Sequence, residues 1–445
     1  MSRGLFIAAL LAACSPAAVT AQVPAFPGAQ GAGAMSLGGR GGRIMRVTNL
    51  NDSGPGSLRA AIEARVPRIV IFDVGGTIRL KSPLVIRSGR ITIAGQTAPG
   101  GGITVRDYTF SVHADDVVVR FIRSRLGDVS RVDNDAIWIS NGRRIIVDHV
   151  SASWGTDESL SVTANGHPNL DIRDVTVQWS IISESLCNSV NPKGRHCYGS
   201  IIGASRGARY SLHHNLWADH MERMPRIGAT LPAAKDSVGP LFDMRSNVIY
   251  NWGGHQAGYS GLPTGPVTYN FIDNSYWMGP DSRDPSIFKE GNPDAHAFFS
   301  GNALNGKVLT GLQGVTGFRE PGYRLSRPVP MPAVTTDSAA VAYEKVLRLA
   351  GDSLRRDSVD ARVVAGVRSR SGRLIDSQSQ VGGWPELARG TPWIDHDGDG
   401  MPDDWERAHG LDPNDPRDGN ADRDHDGYTN VEEWLNALAA PAMPH

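Results

Sequence analysis

Cysteine is almost missing from this chain: there are three in 445 residues, which excludes a small scaffold held by many disulfides. A charge excess of either sign is missing too, with 45 Lys+Arg against 46 Asp+Glu. No basic block occurs, so a nucleic-acid partner is not expected. Beyond residue 25 no stretch reaches about 18 consecutive apolar residues, so no transmembrane helix is expected there. Long helical periodicity is also scarce between residues 25 and 300. Glycine and proline are plentiful, at 51 and 28 residues, enough for many turns but short of a low-complexity composition. With 40% hydrophobic and 20% charged residues, the chain reads as folded, soluble and turn-rich rather than disordered.

The N-terminus reads as an address. Arg3 precedes the apolar run Leu5 to Ala13, and Val19-Thr20-Ala21 resembles a small-residue cleavage site, the pattern of a secretory signal over residues 1–21. Leu11-Ala12-Ala13-Cys14 also fits a lipoprotein box that would lipidate Cys14, and a buried N-terminal helix is the third reading. The first two readings export the chain, either secreted or lipid-anchored at the cell surface. In an oxidising compartment Cys187 and Cys197 are expected to form a local disulfide that staples a long loop, with two free thiols as the alternative.

Between residues 25 and 300, short β-rich runs alternate with Gly, Asn and Asp. Ile71, Ile93, Val119, Val147, Val177, Leu212, Met244 and Val267 serve as equivalent points, in steps of 22 to 35 residues. A minimum near 22 with variable excess predicts a coiled repeat with insertions in its loops. A parallel β-helix fits, since one turn cannot bury its own apolar face and stacked turns can. Asn215, Asn247 and Asn270 are expected to stack along a bend. An ordinary β-sandwich is the competing reading, but its two-residue hairpin signals are few. Residues 56–63 read as a short N-capped helix covering the first coil. Helical spacing returns at 337–350 and, more weakly, at 362–368. The organisation expected is a β-helix over 22–325, a linker and helical segment over 326–385, and a calcium-binding region over 386–445.

That last region carries two acidic loops. Asp395, Asp397, Asp399, Met401, Asp403 and Glu406 occupy positions 1, 3, 5, 7, 9 and 12 of one. Asp422, Asp424, Asp426, Tyr428, Asn430 and Glu433 do the same in the other, and a glycine stands at position 6 of both. This is the twelve-residue EF-hand pattern: Ca²⁺ takes six to eight oxygens, and alternating acids, a backbone carbonyl at position 7 and a terminal Glu supply them. Pro392 stands where the preceding helix would lie, so compact structural repeats are expected rather than a switch.

Several long motifs then appear in order. They are Phe26-Pro-Gly-Ala-Gln-Gly, the run Val47 to Arg59, Ile93-Ala-Gly-Gln-Thr-Ala-Pro-Gly100, the run Val147 to Glu158, and His213-His-Asn-Leu-Trp217 followed by Arg223-Met-Pro-Arg226. Together they resemble the pectate lyases of the pectate/pectin lyase family, within it the pectate lyase C type. The resemblance implies an all-β, right-handed parallel β-helix. It implies Ca²⁺-dependent β-elimination on pectate: a base takes the C5 proton of a galacturonate, the C4 oxygen leaves, and a 4,5-unsaturated oligogalacturonide results. The developing negative charge beside the carboxylate requires positive charge nearby.

Arg223 matches the family's catalytic arginine in its Arg-x-Pro motif. The resemblance further implies that Lys193, Arg195 and Arg226 bind substrate carboxylates, with His196 a neighbour able to share that role. Asp157, Glu158, Glu184 and Asp135 are the implied ligands of an active-site calcium. Many members carry another arginine five residues after the catalytic one, where this chain has Gly228. His213 and His214, adjacent on a strand, are expected to face opposite sides and to serve packing or hydrogen bonding rather than to bind a metal. A monomer is expected. The rival readings are a pectin lyase or polygalacturonase on the same fold, or a non-catalytic polysaccharide-binding β-helix. The Arg-x-Pro-Arg match argues against the two-carboxylate arrangement that hydrolysis needs.

Overall fold

The computed structural model describes residues 22–444 except 165, 166, 168, 169 and 262–264. The signal and lipidation readings, Cys14 included, lie outside the described residues. The chain forms a parallel β-solenoid of about ten turns, its strands paired with those one turn before and after. The twelve-residue strand Ile137–Asp148 bends across two of the faces. Its first part pairs with Phe110–His113 and Leu160–Val162, its second with Val117–Arg120 and Ile172–Gln178.

The period-2 alternation of each strand fills the interior. Ile93, Val119, Val147, Val177, Leu212 and Met244 stack in one register, and each is at most 1% exposed. At the two ends the register differs from the sequence expectation by a few residues. Val70 stands where Ile71 was expected, and Phe271 where Val267 was. Outward-facing hydroxyls on the same sheet hold a glycine-rich N-terminal arm. Gly33 N–H donates to Thr176 Oγ1 at 2.8 Å, Ala32 N–H to Ser211 Oγ at 3.0 Å and Gly39 N–H to Thr92 Oγ1 at 2.9 Å. A Cβ on Gly33 would lie 2.0 Å from the Ile145 carbonyl oxygen, so the close approach requires glycine there.

At one corner a residue of six successive turns sits in the left-handed region: Phe121, His149, Trp179, His214, Ser246 and Asp273. The first four form a ring stack, with Trp179 and His214 4.2 Å apart. Just after them runs an asparagine ladder. Asn215 N–H donates to Asn247 Oδ1 (2.9 Å), Asn247 N–H to Asn274 Oδ1 (3.1 Å) and Asn274 N–H to Asn302 Oδ1 (3.1 Å). Asn270 is not a rung; it lies on a strand and bonds Asp243 and Val329. The left-handed turn at His214 also corrects the expectation for the histidine pair. The two rings meet, Nδ1 to Nδ1, at 3.0 Å, because His214 has left the strand and its alternation no longer applies.

Helix α1 (Leu58–Glu63) is capped by Ser57, whose Oγ accepts from the Ala60 N–H; its Leu58, Ala61 and Ile62 join the solenoid core. Helices α2 (Ala339–Leu349) and α3 (Ser358–Ser369) lie along another face. They bury Val346, Leu349, Val363 and Val367 against Ile181, Leu216, Val248 and Tyr250. Beneath them Arg123 and Arg125 (0% exposed) meet Asp352, Asp357 and Asp360 at 2.6–2.9 Å. Among the described residues no helix is long and apolar enough to cross a membrane.

Three buried histidines set an acid limit. Burial depresses His214 and His220 to about 4 and His213 well below its ordinary value. An unfolded histidine titrates near ~6.5. Below that pH the unfolded chain binds protons that the folded one refuses, so stability falls with acidity. Stability is expected to fall as the pH drops from about 6.5 toward 4, by an order of 3 kcal/mol for each of His214 and His220. Thermal unfolding across pH 4–7 measures this. An unchanged slope in a His214→Gln, His220→Gln variant would remove these groups as the cause.

Candidate active site on the solenoid wall

Three parallel bridge positions, Glu158, Tyr198 and Glu222, line up on consecutive turns, just before the strands Leu160–Val162, Ile201–Ala204 and Arg226–Ala229 begin. Arg223 follows Glu222 in a left-handed conformation, φ +61°, which turns its side chain back along that row. The guanidinium lies 4.1 Å above the Tyr198 ring. Its Nε donates to Tyr259 Oη at 3.0 Å, and its Nη1 pairs with Glu158 Oε1. Burial alone would lower the Arg223 pKa; Glu158 and Tyr259 outweigh it and hold it above the ordinary value.

Asp157, Glu158 and His196 bring ligand atoms within 4.8 Å of one another. Asp157 Oδ1 lies 2.5 Å from His196 Nε2 and 3.6 Å from Lys193 Nζ. Burial would raise Asp157, but the His196 contact, then Lys193 and Arg223, hold it below the carboxylate range. His196 is raised by the same acids against its burial. The loop that brings His196 here is closed by the Cys187–Cys197 disulfide. Asn191, in that loop, donates from Nδ2 to Asp133 Oδ1 at 2.7 Å and to the Thr156 carbonyl at 3.2 Å.

Other expected site residues fall elsewhere. Asp135 is buried behind the wall, and its Oδ1 accepts the Glu158 N–H at 3.0 Å. It braces Glu158, and burial beside that carboxylate pushes its pKa well up. Glu184 is not in the Asp157 cluster among the described residues. It accepts from Trp154 Nε1 at 3.0 Å and pairs with Arg362 of α3, so its charge is answered by the helical segment. Lys193 and Arg195 are exposed beside the groove. Arg226 and Gly228 flank buried Ile227 on the same strand, and among the described residues a Cβ on Gly228 would meet the Gly261 carbonyl oxygen at 3.6 Å. Tyr198, Tyr259, Asn191 and Asp133 were not anticipated from sequence. Each reaches the site from a different turn or loop.

The two acidic loops dock on the first coils. Met401 (0% exposed) and, from helix α4 (Asn430–Ala439), Val431, Trp434 and Leu435 pack on Ile69, Ile71 and Ala94. Arg40 pairs with Glu432 at 2.9 Å, and Arg46 pairs with Asp395. Ligand atoms of Asp395, Asp397 and Asp399 converge, as do those of Asp399, Glu406 and Asp418, and those of Asp422, Asp424 and Asp426. Asp397 Oδ2, Asp399 Oδ2, both Glu406 oxygens, Asp418 Oδ1 and Asp422 Oδ1 are buried without a hydrogen-bond partner. Burial, then neighbouring carboxylates, push Asp399 up to about 7 and Glu406 up to about 8. Unpaired buried carboxylate oxygens are costly, and a hard divalent cation is the partner that suits them. The groove differs: its acids are answered by Arg223, His196 and Lys193.

Fold and groove define a class: parallel β-helix proteins with an arginine set over carboxylates on the outer wall. No protein-family model matches the sequence. The chain is 40% identical over 438 residues to the probable pectate lyase C of Neosartorya fischeri, covering 96% of each. It is 39% identical to that of Aspergillus terreus, covering 100% of each. The chain belongs to the pectate lyase family and so is a polysaccharide lyase by kinship. Its fold matches that of a pectate lyase bound to hexasaccharide (TM-score 0.52, 15% identity, 76% of this chain and 99% of the other). It also matches that of the major cedar-pollen allergen jun a 1 (TM-score 0.51, 19% identity, 73% and 92%).

Proposed function

We infer that this protein cleaves pectate by calcium-dependent β-elimination in the groove of Arg223, and that it acts outside the cell, exported by the segment 1–21. The observation that carries the reading is the placement of Arg223, its side chain 13% exposed and paired with Glu158, the neighbour of Asp157. Lys193, Arg195 and Arg226 lie along the same wall and supply positive charge for substrate carboxylates. Arg223 is the group assigned to take the C5 proton. Its pKa is held up by Glu158, so as found it is a hydrogen-bond donor and not a base. A Ca²⁺ taken up by Asp157 and Glu158 would replace the Arg223, His196 and Lys193 contacts that now answer these acids, and by polarising the substrate carboxylate would lower the cost of a neutral guanidine and of the enolate-like charge. Tyr259 fixes the guanidinium through Nε, and the Tyr198 face keeps it planar to the wall.

The test is ultraviolet absorbance of the unsaturated product from polygalacturonate with calcium and then with a chelator. A rise that the chelator abolishes is expected. New reducing ends without absorbance would mean hydrolysis, and polymer binding with neither signal would mean a non-catalytic binder; either would overturn the reading.

A further inference from the structure

The ninth-position residues of both C-terminal loops are engaged by their own loops. Asp403 Oδ1 accepts the His396 N–H at 3.0 Å, and its Oδ2 lies 2.5 Å from His396 Nδ1 and 3.1 Å from Arg407 Nη2. Asn430 Oδ1 accepts the Arg423 N–H at 3.3 Å. At the first loop another carboxylate arrives from outside the twelve residues. Asp418 begins a short 3₁₀ turn, Asp418–Asn420, between the loops. Its Oδ2 accepts the Asp412 N–H at 3.0 Å, while its Oδ1 is buried and unpartnered. It lies within 4.8 Å of ligand oxygens of Asp399 and Glu406. Glu406 is 0% exposed, and neither of its carboxylate oxygens has a partner. A Cβ on Gly419 would lie 2.3 Å from Asp399 Oδ2, so the turn is built to let Asp418 close on this point.

We propose that Asp418, and not Asp403, is the closing acidic ligand of the first calcium loop, and that Asn430 of the second loop holds it in place. Asn430 Nδ2 donates to the Asp418 carbonyl at 2.8 Å, and its N–H donates to the Ala421 carbonyl at 2.7 Å. Ordering the second loop therefore sets the ligand of the first. At the first loop two triads share Asp399, namely Asp395–Asp397–Asp399 and Asp399–Glu406–Asp418, five acids in all; at the second, among the described residues, a single triad forms, Asp422, Asp424 and Asp426, with Glu433 at position 12. More anionic ligands give tighter calcium binding, so the first site is the tighter one. The proposal rests on the reading of these loops as calcium sites.

The experiment is calorimetric titration of the calcium-stripped full chain with Ca²⁺, in an Asp157→Asn background that silences the groove. Two sites are expected. Asp418→Asn should weaken the tighter one by about tenfold or more, while Asp403→Asn should leave it unchanged. Asn430→Ala, which removes the donor to the Asp418 carbonyl, should weaken it by about threefold to tenfold, and serves if Asp418→Asn does not fold. Loss in Asp403→Asn with normal binding in Asp418→Asn overturns the assignment. An unchanged tighter site in Asn430→Ala overturns the coupling. Absence of any uptake in the parent background overturns the calcium reading itself, and is seen before any variant is compared.

Discussion

Replacing Arg223 with alanine is expected to lower kcat on polygalacturonate by about 10³-fold or more, the size of loss when a positioned proton-transfer or charge-stabilising group is removed. The difficulty is that Arg223 also neutralises Glu158, whose side chain is 2% exposed. Truncation leaves that carboxylate short of its partner, a cost on the order of 3 kcal/mol. A dead but unstable variant would then say nothing about chemistry. Glu158→Gln alone measures what the groove loses with that acid; Arg223→Ala with Glu158→Gln removes both charges, and its thermal midpoint should recover toward wild type while its kcat stays well below that of Glu158→Gln. Arg223→Lys keeps a charge but loses the fork that reaches Tyr259 and Glu158 together, so it should remain strongly impaired. Product absorbance and thermal unfolding, measured on the same preparations, decide the matter. A double variant that regains activity along with stability would make Arg223 a structural residue.

Much of this fold was legible because its signal is repetitive. An interior column needs a β-branched or large apolar residue at one point of every turn, and Val119, Val147, Val177, Leu212 and Met244 supply it in plain order. The reading slipped at Ile71 and Val267, where a run of neighbouring apolar residues makes the inward one ambiguous by periodicity alone. The asparagine ladder was seen in Asn215 and Asn247 but extended to Asn270 in place of Asn274. Both are asparagines four residues apart, and only the left-handed turn at Asp273 distinguishes them. Arg223 came from a motif, which is local. Tyr198, Tyr259 and Asp133 reach the same groove from different turns, and no spacing rule relates them to it. Asp418 escaped for a related reason: a twelve-residue pattern has no place for a ligand contributed by the turn that follows.

The helical segment 326–385 had the faintest pattern, yet it buries three acids, Asp352, Asp357 and Asp360. Asp360 is 0% exposed; it accepts Arg125 Nη2 at 2.9 Å and Ser151 Oγ at 2.5 Å. Asp357 caps α3, accepting the Asp360 N–H at 2.9 Å, and takes the same guanidinium at 2.8 Å. Arg125 belongs to the solenoid strand Ile122–Arg125. One arginine thus fastens both ends of the first turn of α3 to the coil. Asp360→Ala leaves Arg125 buried with a single acid and Ser151 without its acceptor. A loss of about 3–5 kcal/mol is expected, read as a lowered unfolding midpoint and as new proteolytic cleavage within 338–381. Because Arg125 and α3 lie apart from Arg223, kcat measured well below the midpoint should stay at the wild-type value. Replacing the three together, Arg125→Met with Asp357→Asn and Asp360→Leu, removes these buried charges, keeps a cap on α3 and should recover part of the loss, since well-packed apolar residues often substitute for a buried ion pair. An Asp360→Ala protein with a wild-type midpoint would show that α3 is held by its apolar face alone. A loss of kcat at an unchanged midpoint would connect this helix to the groove instead.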